Sequence, residues 1–152
     1  MPEILAAAWD YVDRSPEVEA FWVNYTYEDR ASVVDVLYRV GGEIYRPQFV
    51  LPALGMDEAT DDEESDFLFG IEDLFDPVKA SEGPFPTRTI LRYTTATQAF
   101  DGDFSYSPLQ PQATDDNRWA DNEIGDFWEQ RLRETGEDSA EFVPPPPPTD
   151  RG

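Results

Sequence analysis

The chain has 152 residues, carries 33 acidic against 11 basic side chains for a formal net charge of −22, and contains neither His nor Cys. That composition excludes disulfide frameworks, thiol chemistry, zinc–thiolate sites and imidazole general bases. It also disfavours direct binding of nucleic acid or anionic membrane, which depends on Lys and Arg at phosphates, while 14 % aromatic residues still allow one domain with a substantial core.

In residues 3–14, Ile4, Leu5, Ala8, Trp9 and Val12 recur at helical spacing behind Pro2, and Ser15-Pro16 ends the helix. The same stretch has acids where a signal peptide needs bases, and no apolar run is long enough to span a membrane, so a cytoplasmic chain is expected. The period then shortens. Residues 17–27 and 31–40 are β-branched and aromatic, joined by a turn at Glu28-Asp29-Arg30, and Gly41-Gly42 leads by a hairpin into a third strand over 43–47. Pro47 and Pro52 break regular structure.

Residues 57–76 read DEATDDEESDFLFGIEDLFD, with 10 acids among 20 positions and no base. The spacing divides them into an exposed acidic loop over 57–64 and an amphipathic helix over 65–76. The helix gathers Phe67, Leu68, Ile71, Leu74 and Phe75 on one side, capped by Ser65 or Asp66 and stopped by Pro77. A loop over 81–86, strands over 87–97 and 98–106, and a polar loop over 107–117 follow. A last helix over 118–135 aligns Trp119, Ile124, Phe127, Trp128 and Leu132, with Gly136 in the C′ place. The expected fold class is α+β, a single antiparallel β-sheet of about five strands flanked by helices, in the order α-βββ-α-ββ-α. One acidic domain over 1–136 is expected, followed by a flexible Pro-rich tail over 137–152 whose five consecutive prolines favour extended polyproline II.

Catalytic inventory is poor. The single lysine, Lys79, lies in no phosphate-cradling motif, and carboxylates are too plentiful for any pair to mark acid–base work, so no enzyme activity is expected. A calcium loop starting at Asp57 fails, because its sixth position is Asp62 instead of Gly and its twelfth is Leu68. Asp101 and Asp103 around Gly102 have the composition of a turn tip. Neither metal nor cofactor is expected. The acidity instead complements a basic protein partner, although a chain adapted to high salt would carry it too. The partner-binding candidates are Asp57, Glu58, Asp61, Asp62, Glu63, Glu64 and Asp66, together with Asp115, Asp116 and Trp119, an aromatic rimmed by charge.

The segment TRTILRYTTATQAFDGDFSY (87–106), followed after a polar loop by FWEQRL (127–132), resembles the C-terminal half of the YezG-like family of bacterial immunity proteins. Phe100, Asp101, Gly102, Asp103, Phe104, Tyr106 and Trp128 carry the resemblance, which covers roughly residues 65–135. It implies a cytoplasmic immunity protein of a polymorphic toxin system that binds a cognate secreted toxin domain, often a nuclease, and occludes its active site. The alternative expectation is a nucleic-acid mimic of the phage anti-restriction or anti-defence type that inhibits a host DNA- or RNA-binding enzyme. An acidic adaptor with several weak basic partners is a third.

Overall fold

The longest β-branched and aromatic run, β1 (Val18–Glu28), becomes the central strand of the computed structural model, which describes residues 2–80 and 83–147. Around it β2 (Ala31–Val40), β3 (Glu43–Tyr45), β4 (Arg88–Thr94) and β5 (Ala99–Ser105) form one antiparallel sheet in the order β3-β2-β1-β4-β5. The fold is α+β, and the expected order of elements holds with one short helix added. Met1, residues 81–82 of the expected loop and residues 148–152 of the expected tail lie outside the described residues. Among the described residues no helix is long and apolar enough to cross a membrane.

Because side chains alternate across a strand, β1 and β2 feed two separate cores. Phe21, Val23 and Tyr25 with Val34, Val36 and Tyr38 point to one face, where α1 (Pro2–Tyr11), α2 (Pro47–Ala53) and α3 (Asp61–Lys79) cover them. Aromatic contacts hold this face: Tyr25 stacks on Phe75 at 4.0 Å, Tyr11 on Phe67 at 4.1 Å, and Trp9 on Phe21 at 5.7 Å. The buried Tyr38 hydroxyl donates to the Ala8 carbonyl at 2.6 Å, tying α1 to the sheet. Trp22, Leu37 and Ile90 point to the opposite face, under Trp128 and Leu132 of α4 (Asp121–Thr135).

Four local expectations are corrected. The prolines at 47 and 52 do not leave a loop. Pro47 takes the first helical position, where its missing N–H costs nothing, and the orphan N–H of Gln48 donates to Glu64 Oε2 at 2.7 Å, so α2 is held from α3. The helix expected from 65 begins at Asp61, capped by Thr60, and runs through Pro77 to Lys79, where the Ala80 N–H donates back to the Asp76 carbonyl. Asp101, Gly102 and Asp103 lie inside β5, and the hairpin turn is at 95–98. The last helix starts at Asp121, so Trp119 precedes it, while Gly136 ends it in the left-handed conformation as expected (φ 78°).

Beyond Gly136 the chain enters neither helix nor strand, yet residues 138–142 lie against the α4 side of the sheet. Trp22 donates to Asp138 at 2.8 Å, Trp128 to the Ser139 carbonyl at 2.9 Å, and the Ala140 N–H to Asp103 at 2.8 Å. The buried Arg88 guanidinium donates to the carbonyls of Ala140 and Phe142 and lies over the Phe142 ring. Burial first, and then the Arg131 charge, lowers its pKa to about 10.

Asp35, opposite Asn24 in the β1–β2 register, faces α4 where Gly125 crosses; a Cβ on Gly125 would come within 2.4 Å of its carboxylate. Burial, then the charges of Glu129, Asp126 and Glu64, push its pKa up to about 6 against the opposing pull of Arg46. A raised carboxyl pKa means that the folded state holds the proton more tightly than the unfolded chain between about pH 4 and 6, so this group's contribution to stability grows as pH falls through 6. Asp35→Asn is expected to stabilise the protein at pH 7 by on the order of 2 kcal/mol. It should also flatten the stability profile between pH 4 and 6 relative to wild type, as read from urea unfolding across that range.

Candidate partner-binding surface

Thr60-Asp61-Asp62-Glu63 is a capping box. The Thr60 hydroxyl accepts from the Glu63 N–H at 3.1 Å, and the Glu63 carboxylate accepts from the Thr60 N–H at 3.0 Å. Asp61, Asp62, Glu63 and Glu64 therefore occupy the first turn of a helix, not the loop expected for them, and stand where the helix dipole favours negative charge. The hydrogen bonds from Thr60 hold the Glu63 carboxyl below its usual pKa range. Glu64 turns inward to α2. Its charge and that of Glu63 add to burial in pushing the neighbouring Tyr11 hydroxyl up to about 12. Asp57 and Glu58 are exposed in the preceding loop, which Ala59 pins by its burial.

At about 100° per residue, Asp62, Asp66, Phe69, Asp73 and Asp76 all fall on the side of α3 opposite the buried Ile71 and Phe75. All five are exposed, and Phe69 is 64 % exposed in the middle of the row. Asp76 pairs with Lys79 at 3.1 Å; among the described residues Asp62, Asp66 and Asp73 have no cationic partner. The outer face of α3 is thus an aromatic side chain bracketed by carboxylates on a rigid element. Phe69 was absent from the sequence-derived candidates. Its signal was its phase, roughly half a turn away from the apolar stripe.

Asp115, Asp116 and Trp119 are not brought to this surface. Trp119 lines a cleft of about 510 Å3 with Glu28, Asp29, Arg118 and Asp121, beside the β1–β2 turn, whereas the first turn of α3 lies near α2 at the other end of β2. Gln110 clamps the Trp119 backbone through its N–H at 2.8 Å and its carbonyl at 3.0 Å. The indole packs edge-on to Phe127 at 4.8 Å and donates to the Pro145 carbonyl at 2.6 Å. Asp115 and Asp116 are exposed in the loop before it. The Trp119 group is therefore the seat of the C-terminal proline segment, in which Pro144 and Pro147 are buried.

Among the described residues no group of three or more Asp or Glu side chains is placed to hold a metal ion. No protein-family model and no curated protein matches the chain.

Thr60→Ala is expected to destabilise the protein by about 1 kcal/mol, with Thr60→Ser close to wild type, in urea unfolding. Trp119→Phe keeps the ring but removes the N–H that holds Pro145, a loss of about 1 kcal/mol. Amide exchange at residue 119, whose N–H donates to Gln110, should then quicken about fivefold while that of β1 is unchanged.

Proposed function

We propose that the protein is an inhibitor of the immunity type, a binding protein acting in the cytoplasm that occludes a basic toxin domain such as a nuclease. The observation that carries this reading is the outer face of α3, where Phe69 stands exposed among Asp62, Asp66 and Asp73 and no cation neutralises them among the described residues. Nuclease domains are basic because they hold phosphate backbones. An acidic surface is attracted to the same cleft, raising association rates by roughly 10- to 1000-fold at low salt. Asp57, Glu58, Asp61 and Glu63 extend that surface at the N-terminal end of α3.

Mimicry of nucleic acid is the second reading, and Phe69, exposed in the middle of the carboxylate row, argues against a literal copy. An aromatic anchor inside a charged rim is instead the composition of a protein–protein contact.

The test is whether a basic toxin domain is encoded beside this gene and is inhibited by this chain, with association and dissociation rates measured separately. Stoichiometric inhibition is expected. Asp62→Asn/Asp66→Asn/Asp73→Asn should slow association about tenfold at low salt with little effect near 500 mM, and Phe69→Ala should speed dissociation about tenfold. A chain that captures no basic protein, or whose binding is untouched by the triple substitution, is not this kind of inhibitor.

A further inference from the structure

The edge of the sheet at β5 has the features of a second contact surface. β5 is an outer strand of seven residues, AFDGDFS, with neither Lys nor Pro to blunt it. The Phe104 N–H points out of the ladder and is met only by the neighbouring Asp103 carboxylate, at 3.1 Å. In an antiparallel pair the backbone groups of alternate residues point the same way, so Phe100 and Gly102 present theirs to the same open edge. On the face shared with α1, Phe100 is 51 % and Phe104 43 % exposed. Phe100 borders an apolar cleft of about 260 Å3 that Trp9, Phe21 and Tyr93 line. On the other face Asp101 and Asp138 share the Arg92 guanidinium, and Asp103 accepts from the Ala140 N–H and has no cationic partner among the described residues.

These features select the occupant. A second copy of the chain is excluded by its own charge. Antiparallel pairing of β5 with itself, centred on Gly102, sets Asp101 opposite Asp103 of the other copy twice over, and like charges directly opposed destabilise a sheet. A strand with Lys or Arg on the Asp101 side and apolar residues on the Phe100 side meets complementary groups on both faces. We propose that β5 is a docking edge at which an extended, alternately basic and apolar segment of the partner protein adds as a sixth strand. The proposal rests on the reading of the chain as a binder of a basic protein, and it adds main-chain hydrogen bonding to an interaction otherwise made by charge.

The test uses the full chain and three capped peptides as long as β5. One alternates Lys and Val, one is the same peptide with N-methylated amides on its bonding edge, and one alternates Glu and Val. At about 150 mM salt, where charges more than about 8 Å apart are screened, the Lys–Val peptide should bind and slow amide exchange at Phe100, Gly102 and Phe104. The N-methylated peptide, identical in charge, should bind at least about tenfold more weakly, and the Glu–Val peptide should not bind. Phe100→Ser/Phe104→Ser, at exposed positions, should weaken the Lys–Val peptide about tenfold without altering the unfolding midpoint. Equal binding of the N-methylated peptide, or protection confined to α3, overturns the docking edge while leaving the inhibitor reading intact. Inhibition of the toxin domain that persists in the Phe100→Ser/Phe104→Ser variant with unchanged affinity overturns it as well. Failure to inhibit any basic toxin domain, with the peptide still bound at β5, removes the inhibitor reading alone.

Discussion

With 11 cations for 33 acids, the placement of the basic side chains decides how this chain can fold at all. Six of them, Arg39, Arg46, Arg88, Arg92, Arg131 and Arg133, lie on one face of the sheet. Arg46 bridges the start of α2 to Asp126 and Glu129 of α4, Arg133 closes on the same Glu129, and Arg92 joins β4 to Asp101 and Asp138. Arg88 and Arg131 donate to carbonyls of the C-terminal segment and both lie over the Phe142 ring, while Arg39 lies over Trp22. The α4 face is therefore an electrostatic assembly in which helix, sheet and C-terminal segment share a small set of guanidiniums. Asp35 lies buried on that face beside Glu129 and Asp126, and that burial, followed by those charges, outweighs the pull of Arg46 and holds its proton.

The opposite face is built from different forces. Trp9, Phe21 and Tyr93, Tyr11 with Phe67, and Tyr25 with Phe75 bring α1 and α3 onto the sheet through ring packing that is indifferent to salt and pH. Burial of the inner stripe holds α3, with Glu64 and Glu72 accepting from Gln48 and Ser32, so its outer carboxylates are free of structural pairing among the described residues, apart from Asp76 with Lys79. Two explanations for the acidity of α3 then separate by position. Asp61 to Glu64 satisfy a helix start, and the dipole accounts for part of their presence. Asp66 and Asp73 lie further along the helix, have no dipole or cap to serve, and flank Phe69, the large side chain of α3 that the core does not take.

The sheet was readable because β1 and β2 are near-continuous β-branched and aromatic runs and their turns use short polar signals, while the helix stripe of α3 follows from Phe67, Ile71 and Phe75 alone. What escaped was decided by reciprocal or distant contacts. The capping box spelled by Thr60 and Glu63 was present in the letters, but the density of acids made the first turn look like a loop. The helix around Pro47 and Pro52 exists because Glu64, 16 residues on, supplies an acceptor for Gln48. The segment after Gly136 has no periodicity of its own; its course is set by what Arg88, Trp22, Trp128 and Trp119 need from its carbonyls and from Asp138. Trp119 was legible as an aromatic among acids, yet its polar edge turned out to serve the chain's own prolines.

A charge of this size attracts any basic protein, so charge by itself confers speed and not identity. The field of the α3 carboxylates acts over roughly a Debye length, about 8 Å at physiological salt, and under the proposed function would help to orient a partner before contact. Discrimination has to come from groups that act only at contact. In the proposed complex exposed Phe69 would require a desolvated pocket on the partner, and the Phe100–Phe104 edge a backbone in extended form with the right alternation of side chains. Both sit on regular elements, one helical and one strand, so neither has to be ordered when the partner arrives. In the proposed inhibitor the carboxylates would govern how often a basic partner is met, and the exposed aromatic side chains would govern which of those encounters persist.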